Sequence, residues 1–266
     1  MVQVSMPLYP GVALITGAAS GIGQATAVSF AQEGCPKIAI ADLNECGLRE
    51  TESLLRNVSS GCSFISVLTD VSSAQSVQVL IDSVVREFGR IDYVCNAAGI
   101  LSNDERSGET TPEAFDQING VNYRGCWLCS RAEILQMLQQ DPLPTHDGRP
   151  GCRGSIVNIA SQLGIVGKSA AAAYCASKAA VISMTRCDAI DYSSDNIRVN
   201  CVCPGVIDTP MTRAKMDILG PAIAMAPMNR PGTAQEVADC VLFLCSSKAS
   251  FVQGSAMVVD GGYTIN

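Results

Sequence analysis

Short runs of β-branched and other apolar residues alternate with longer stretches of helical periodicity along the whole chain. Seven runs have the length of buried strands: residues 12–16, 37–41, 63–68, 91–95, 155–160, 197–202 and 256–260. Between them, helical periodicity is visible over 22–33, 73–88, 112–138, 173–192 and 234–245, with Ser, Thr or Asp near several starts. Apolar strands alternating with amphipathic helices predict a parallel sheet covered on both faces. The expected fold class is α/β: a Rossmann-like, doubly wound, seven-stranded parallel sheet in three α/β/α layers. No repeat or interdomain linker interrupts the rhythm, which predicts a single domain over residues 1–266. One segment breaks it, 139–154, QQDPLPTHDGRPGCRG, whose Pro and Gly predict an exposed loop that holds the lone histidine, His146, in solvent.

The first strand runs into Thr16-Gly17-Ala18-Ala19-Ser20-Gly21-Ile22-Gly23, with glycine at the strand end and two more opening a helix. Glycines let the backbone turn sharply and approach a pyrophosphate, whose charge the free N–H groups of the helix start would stabilise. The second strand ends at Asp42, about 20 residues past the last glycine, the spacing of a ribose-binding acid. A carboxylate there accepts bonds from the adenosine 2′- and 3′-hydroxyls and repels a 2′-phosphate, and Ser20, Leu43 and Asn44 bring no cation to receive one. NAD is therefore expected over NADP. The plainer alternative is that Asp42 caps the helix that follows.

Tyr174 and Lys178 lie four apart on a predicted helix, so an ammonium sits beside a phenol. Its charge is expected to lower the tyrosine from its ordinary value of about 10 and turn it into an acid/base. Alone the pair also reads as a surface contact. Ser161, however, follows the fifth strand at the carboxyl end of the sheet, where open α/β proteins bind ligands.

Composition narrows the classes further. Hydrophobic residues make up 47%, enough for a large core and too many for a disordered chain. Lys plus Arg number 18 against 25 Asp plus Glu, a net charge of −7 with no basic cluster, so neither nucleic acid nor an anionic membrane surface is an expected partner. The N-terminal MVQVSMPLYPG lacks an export signal, and a cytoplasmic protein with its thirteen cysteines reduced is expected. Cys126-x-x-Cys129 has neither a second cysteine pair nor a nearby histidine and follows Asn122 within a helix, so no metal site or redox pair is expected.

Taken together these residues resemble the short-chain dehydrogenase/reductase family, from about Pro10 to the C-terminus. The family's TGxxxGIG turn falls on 16–23, its Asp-Val on Asp70-Val71, and its Asn-Asn-Ala-Gly on Asn96-Ala97-Ala98-Gly99. Ala97 departs from the pattern, which removes any hydrogen bond a second asparagine would make inside the sheet. The resemblance implies a catalytic tetrad of Asn122, Ser161, Tyr174 and Lys178. It implies cofactor contacts from Gly17, Ser20, Gly21, Ile22, Gly23, Asp42, Asp70, Val71, Asn96, Ala97, Gly99, Tyr174, Lys178, Pro204, Gly205, Val206 and Thr209. Tyr174 would remove the alcohol proton, Ser161 would orient the oxygen, and hydride would pass from the carbinol carbon to nicotinamide C4. Lys178 would hold the nicotinamide ribose, and Asn122 a water linking the lysine to solvent.

The implied activity is NAD-dependent interconversion of a secondary alcohol and a ketone. A substrate loop at about 206–230 offers Met211, Met216, Ile218, Leu219, Met225 and Met228, with Leu163, Ile165 and Val166 opposite, as an apolar wall. A wall of this kind suits a terpenoid, steroid or polyketide ring, as in the fungal biosynthetic members of the family; core packing explains the same residues equally well. No cationic anchor for phosphate is evident there, which argues against a sugar phosphate. The resemblance also implies a homotetramer or homodimer, in which Trp127 and Leu128 would meet a partner helix or else stay buried within the protomer. The rival readings are a dehydratase, epimerase or cyclase on the same fold, and a silent dinucleotide-binding module.

Overall fold

The computed structural model describes residues 7–59, 61–101 and 104–265. Its strands are β1 (Val12–Thr16), β2 (Lys37–Asp42), β3 (Ser63–Leu68), β4 (Tyr93–Asn96), β5 (Gly154–Ile159), β6 (Ile197–Pro204), β7 (Ile207–Asp208), β8 (Gly232–Thr233) and β9 (Ala256–Val259). Seven form one parallel sheet in the order β3-β2-β1-β4-β5-β6-β9, and β7 and β8 form a separate short ladder. Every residue of β1, β4, β5 and β6 is buried, because helices cover both faces of these central strands. The α/β doubly wound, single-domain fold expected from the sequence is the one observed.

The helices are α1 (Gly21–Gln32), α2 (Glu45–Val58), α3 (Ala74–Phe88), α4 (Pro112–Asn119), α5 (Cys126–Met137), α6 (Ala172–Asp191), α7 (Pro210–Arg213), α8 (Met216–Met225) and α9 (Ala234–Cys245). On one face Phe30 of α1, Leu55 of α2 and Val237 and Val241 of α9 pack over Ile15, Ile38 and Ile40. On the other, Leu80 and Val84 of α3 and Leu128 and Met137 of α5 pack over Leu14, Val94 and Ile156. The chain leaves β1 toward β2 and β3, then returns to lay β4 on the opposite side of β1. That reversal opens a crevice above the carboxyl ends of β1 and β4, the place where ligands bind in open α/β sheets.

Three helices escaped the sequence periodicity: α2, the four-residue α7, and α8. Helix α2 buries a thin stripe, Gly47, Leu48, Thr51 and Leu55, and is capped by the Asn44 side chain, which accepts from the Gly47 N–H. Helix α8 carries Pro221 in its interior and buries no residue fully. The predicted helix 112–138 is also corrected: α4 ends at Asn119, Gly120–Gly125 form a π-helical turn, and α5 starts at Cys126. In the 139–154 loop, Gln140 is buried, with its side chain pairing both the N–H and the carbonyl of Ile91 at 2.8 Å. His146 is not free in solvent, since Nδ1 lies 2.9 Å from the Ser247 hydroxyl. Among the described residues no helix is long and apolar enough to cross a membrane.

A buried polar network fixes α5 to the sheet. Asn96 Nδ2 donates to Glu133 Oε2 (3.0 Å) and Asn158 Oδ1 (3.1 Å), and Asn158 Nδ2 donates to the Thr185 hydroxyl (3.1 Å). The in-sheet hydrogen bonds therefore come from Asn96, so Ala97 costs the sheet none of them. Glu133 Oε1 has no partner, and burial pushes this carboxyl up from 4.5 to about 8. Folding thus retains a proton that the unfolded chain releases. The resulting loss of stability is absent below pH 4.5, grows as pH rises, and is complete above about 8. Glu133→Gln is expected to gain on the parent between pH 5 and pH 9 by up to about 4 kcal/mol, read from thermal unfolding at both pH values. Parallel pH dependence in the two proteins would refute an ionisable Glu133 with this environment.

Candidate active site

The glycine turn and the start of α1 form one end of the crevice. A Cβ on Gly23 would stand 2.1 Å from the Gly17 carbonyl oxygen, so α1 approaches the end of β1 as closely as backbones allow. Ser20 caps α1 in extended conformation without a side-chain cap bond, and no acidic residue occupies the first turn. Both features leave the positive helix end available to an anion in the crevice, which Ser20, Gly21 and Ile22 line. Asp42 ties the turn to β2: Oδ2 accepts from the Ala19 N–H (3.0 Å) and Oδ1 from the Asn44 N–H (2.9 Å). It faces the same crevice and is not the cap of α2, a role taken by Asn44.

From this end the crevice, about 410 Å³, continues past Asp70, Val71, Ala97 and Gly99 to Ser161, Tyr174 and Lys178, and is closed by Pro204, Gly205, Val206 and Thr209. A long trough of this kind, with a glycine turn and a helix start at one end, has the form of a site for an extended, phosphate-bearing ligand. Of the predicted cofactor contacts, Asn96 alone does not line it. Even side-chain parity along β4 turns that asparagine into the polar network, and Ala97, one residue on, faces the crevice.

Ser161 ends the segment after β5 and opens the short turn Gln162–Gly164, its Oγ accepting from the Leu163 N–H at 3.1 Å. Helix α6 presents Tyr174 and, one turn later, Lys178, whose Nζ donates to the Ile159 carbonyl at 2.8 Å. Burial pushes Lys178 down to about 8, so it stays cationic at neutral pH. The Nζ lies 5.9 Å from the centroid of the Tyr174 ring. The phenol is not lowered overall: burial raises it above its ordinary value, and the neighbouring Ser161 hydroxyl acts in the opposite direction. Desolvation outweighs the Ser161 hydrogen bond, so a lysine one turn away does not by itself lower the phenol as the spacing led one to expect.

Asn122 sits behind this group, not in it. It lies in the π-turn, buried, with Oδ1 accepting from the Ile100 N–H (2.8 Å) and Nδ2 donating to the Ile100 carbonyl (2.9 Å) and the Ser177 hydroxyl (3.3 Å). A Cβ on Gly99 would meet Asn122 Oδ1 at 3.2 Å and Lys178 Nζ at 3.5 Å, so all three converge at one point. The extra residue in the π-turn aims Asn122 at the end of β4, a use of such turns common at functional sites.

A family model described as enoyl-(acyl carrier protein) reductase matches residues 17–264. The chain is 39% identical over 258 residues to 2-(R)-hydroxypropyl-CoM dehydrogenase of Xanthobacter autotrophicus, covering 95% of this chain and 98% of that one. It is 37% identical over 262 residues to cyclopentanol dehydrogenase of a Comamonas species, covering 96% and 97%. Among solved structures, levodione reductase superposes with a TM-score of 0.88 at 32% identity, covering 97% of this chain and 99% of that one. The chain belongs to the short-chain dehydrogenase/reductase family. As a short-chain dehydrogenase/reductase it is an oxidoreductase of a family that uses nicotinamide dinucleotides, and its relatives act on hydroxyl groups of small molecules.

At the substrate end of this short-chain dehydrogenase/reductase, the predicted apolar wall is corrected. Only Leu163, Met211 and Leu219 of its nine residues line the crevice, joined by Ile100 and Leu101 after β4. Ile165, Ile218, Met225 and Met228 are exposed, and Met228 packs on Gly261 near the C-terminus. Contrary to expectation, charged groups are present: Lys168, Lys215 and Asp104 line the same crevice. Lys168 stands six residues before Tyr174, a position from which a charge on that segment was open to notice. Trp127 of α5 is 43% exposed, whereas Leu128 is buried inside the protomer. Cys126 and Cys129 are buried, and burial pushes the Cys126 thiol up to about 12.

Proposed function

We propose that the protein is an NAD-dependent dehydrogenase or ketoreductase that interconverts a secondary alcohol and a ketone on a small, largely apolar molecule. The observation that carries this reading is the convergence of Ser161, Tyr174 and Lys178 on a crevice whose far end holds a glycine turn and Asp42. Ser161 donates a hydrogen bond to the substrate oxygen and holds it against Tyr174. The Tyr174 hydroxyl gives up its proton in reduction and takes it back in oxidation. Lys178, anchored on the Ile159 carbonyl and cationic at neutral pH, stabilises negative charge at that spot and is placed to bind the ribose hydroxyls of the coenzyme. Asn122 clamps Ile100 and thereby fixes the β4 end of the site. The bound dinucleotide supplies the hydride acceptor or donor.

Two features support NAD. The Asp42 carboxylate stands where a 2′-phosphate would lie, and its neighbour Leu43 is an uncharged side chain facing the same crevice. Cyclopentanol dehydrogenase and levodione reductase, by their names, act on ring alcohols or ketones, which favours a carbocyclic substrate. A panel of cyclic alcohols with NAD and with NADP, followed at 340 nm, is the test. Turnover with kcat/KM at least about tenfold higher for NAD is expected. Equal values for the two coenzymes overturn the preference, and coenzyme binding without turnover on any alcohol or ketone overturns the activity.

A further inference from the structure

Three segments that are far apart in sequence bring charges to the rim of the crevice. Asp104 comes from the segment after β4, Lys168 from the stretch before α6, and Lys215 from the residue before α8. Lys168 Nζ lies 2.8 Å from Asp104 Oδ1, and Lys215 Nζ 2.6 Å from Asp104 Oδ2, so both ammonium groups share one carboxylate. Their side chains are each about 30% exposed, which places them partly inside the pocket wall. Partial burial works against ionisation of Asp104, but its two lysine partners prevail and hold it below the usual carboxylate range. Two cations and one anion leave a net positive charge of one, unusual on a chain whose overall charge is −7. The crevice that these charges share with Tyr174 also has apolar lining, from Leu101, Leu163, Met211 and Leu219.

We infer that Lys168 and Lys215 form an anion subsite that selects alcohols and ketones bearing a carboxylate or similar acidic group at the end remote from the reacting carbon. The inference rests on the alcohol–ketone reading above and adds a charge requirement to it. The acid completes a four-membered arrangement of alternating charge, in which each ammonium pairs with Asp104 and with the substrate. Because the rim is partly desolvated, such pairing has a larger effect here than on an open surface. With its acid held at Lys168 and Lys215, the rest of the molecule lies in the crevice that Ser161 and Tyr174 also line.

The test uses the NADH-loaded protein and two probes with the same ring and carbonyl, 4-oxocyclohexanecarboxylate and its methyl ester. Dissociation constants are read from the fluorescence of bound NADH, and KM from reduction at 340 nm. The acid is expected to bind about tenfold more tightly than the ester, with the preference shrinking as KCl rises from about 50 to about 500 mM. Lys168→Gln and Lys215→Gln should each cut the acid-to-ester preference by about tenfold, and Asp104→Asn should raise it several-fold. A preference within about twofold of unity in the parent, unaffected by salt, overturns the inference even if the variants fail to fold. Failure of the acid to bind the NADH complex also overturns it. Acid preference that follows the charge series without reduction of either ketone upholds the anion subsite and defeats the alcohol–ketone reading instead.

Discussion

Replacing Tyr174 by Phe is expected to lower kcat by about 10²–10⁴-fold while leaving the dissociation constant for NADH within about twofold. Phe keeps the ring and its approach to Lys178, so the loss is confined to one oxygen. No neighbour replaces that oxygen well. Ser161 already accepts from the Leu163 N–H, and an aliphatic hydroxyl ionises far less readily than a phenol. Lys178 Nζ is tied to the Ile159 carbonyl and lies on the ring side of Tyr174, 5.9 Å from its centroid. Steady-state rates with a ketone, set beside NADH fluorescence titrations, separate chemistry from binding. Retention of full turnover by the variant would remove Tyr174 from the proton transfer.

A single methyl group at Gly23 is expected to damage both stability and coenzyme affinity. The added Cβ would meet Gly17 backbone atoms at 2.1 and 2.6 Å, and no rotamer change relieves a clash between main chains. Gly17 cannot retreat, because it sits at φ +67° with the Ala97 and Ala98 backbone against its other side. Helix α1 must therefore shift away from β1, carrying with it the N–H groups that face the crevice. Gly23→Ala should cost about 2–4 kcal/mol of stability and weaken NADH by at least about tenfold. Gly120→Ala is the control, since a Cβ there meets nothing within 4 Å and the backbone is right-handed helical. Parent-like melting and NADH binding in Gly23→Ala would show that the turn does not have this close approach.

The parts of the site that were legible in the sequence are those where chemistry dictates a residue type at a fixed local spacing. Gly17, Gly21 and Gly23 form a turn within one βα unit, and Tyr174 and Lys178 lie one helical turn apart, so short-range geometry defines both. The sheet was legible for a related reason: strands buried on both faces read as unbroken apolar runs. Helix α2 was not, because the face it buries, Gly47, Leu48, Thr51 and Leu55, holds only two large apolar residues in an otherwise polar segment. The direction of the Asn96 side chain was not legible either: neighbouring residues of a strand face opposite sides, and it turns into the polar network, away from the crevice. The charged rim was invisible for a different reason. Asp104 is 64 residues from Lys168 and 111 from Lys215, and nothing local in the sequence signals that the three meet.

The π-turn between α4 and α5 also sets a rule about chain length. A π-turn takes about one residue more than an α-turn to cover nearly the same rotation, so one residue removed from Gly120–Gly125 would rewind the segment as α-helix and leave α4 and α5 nearly in phase. The buried face of α5, with Leu128 and Met137, would keep its seat on the sheet. Asn122 would lose the outward bulge that brings its amide to Ile100. A one-residue deletion here would therefore separate folding from support of the site, leaving the first and removing the second.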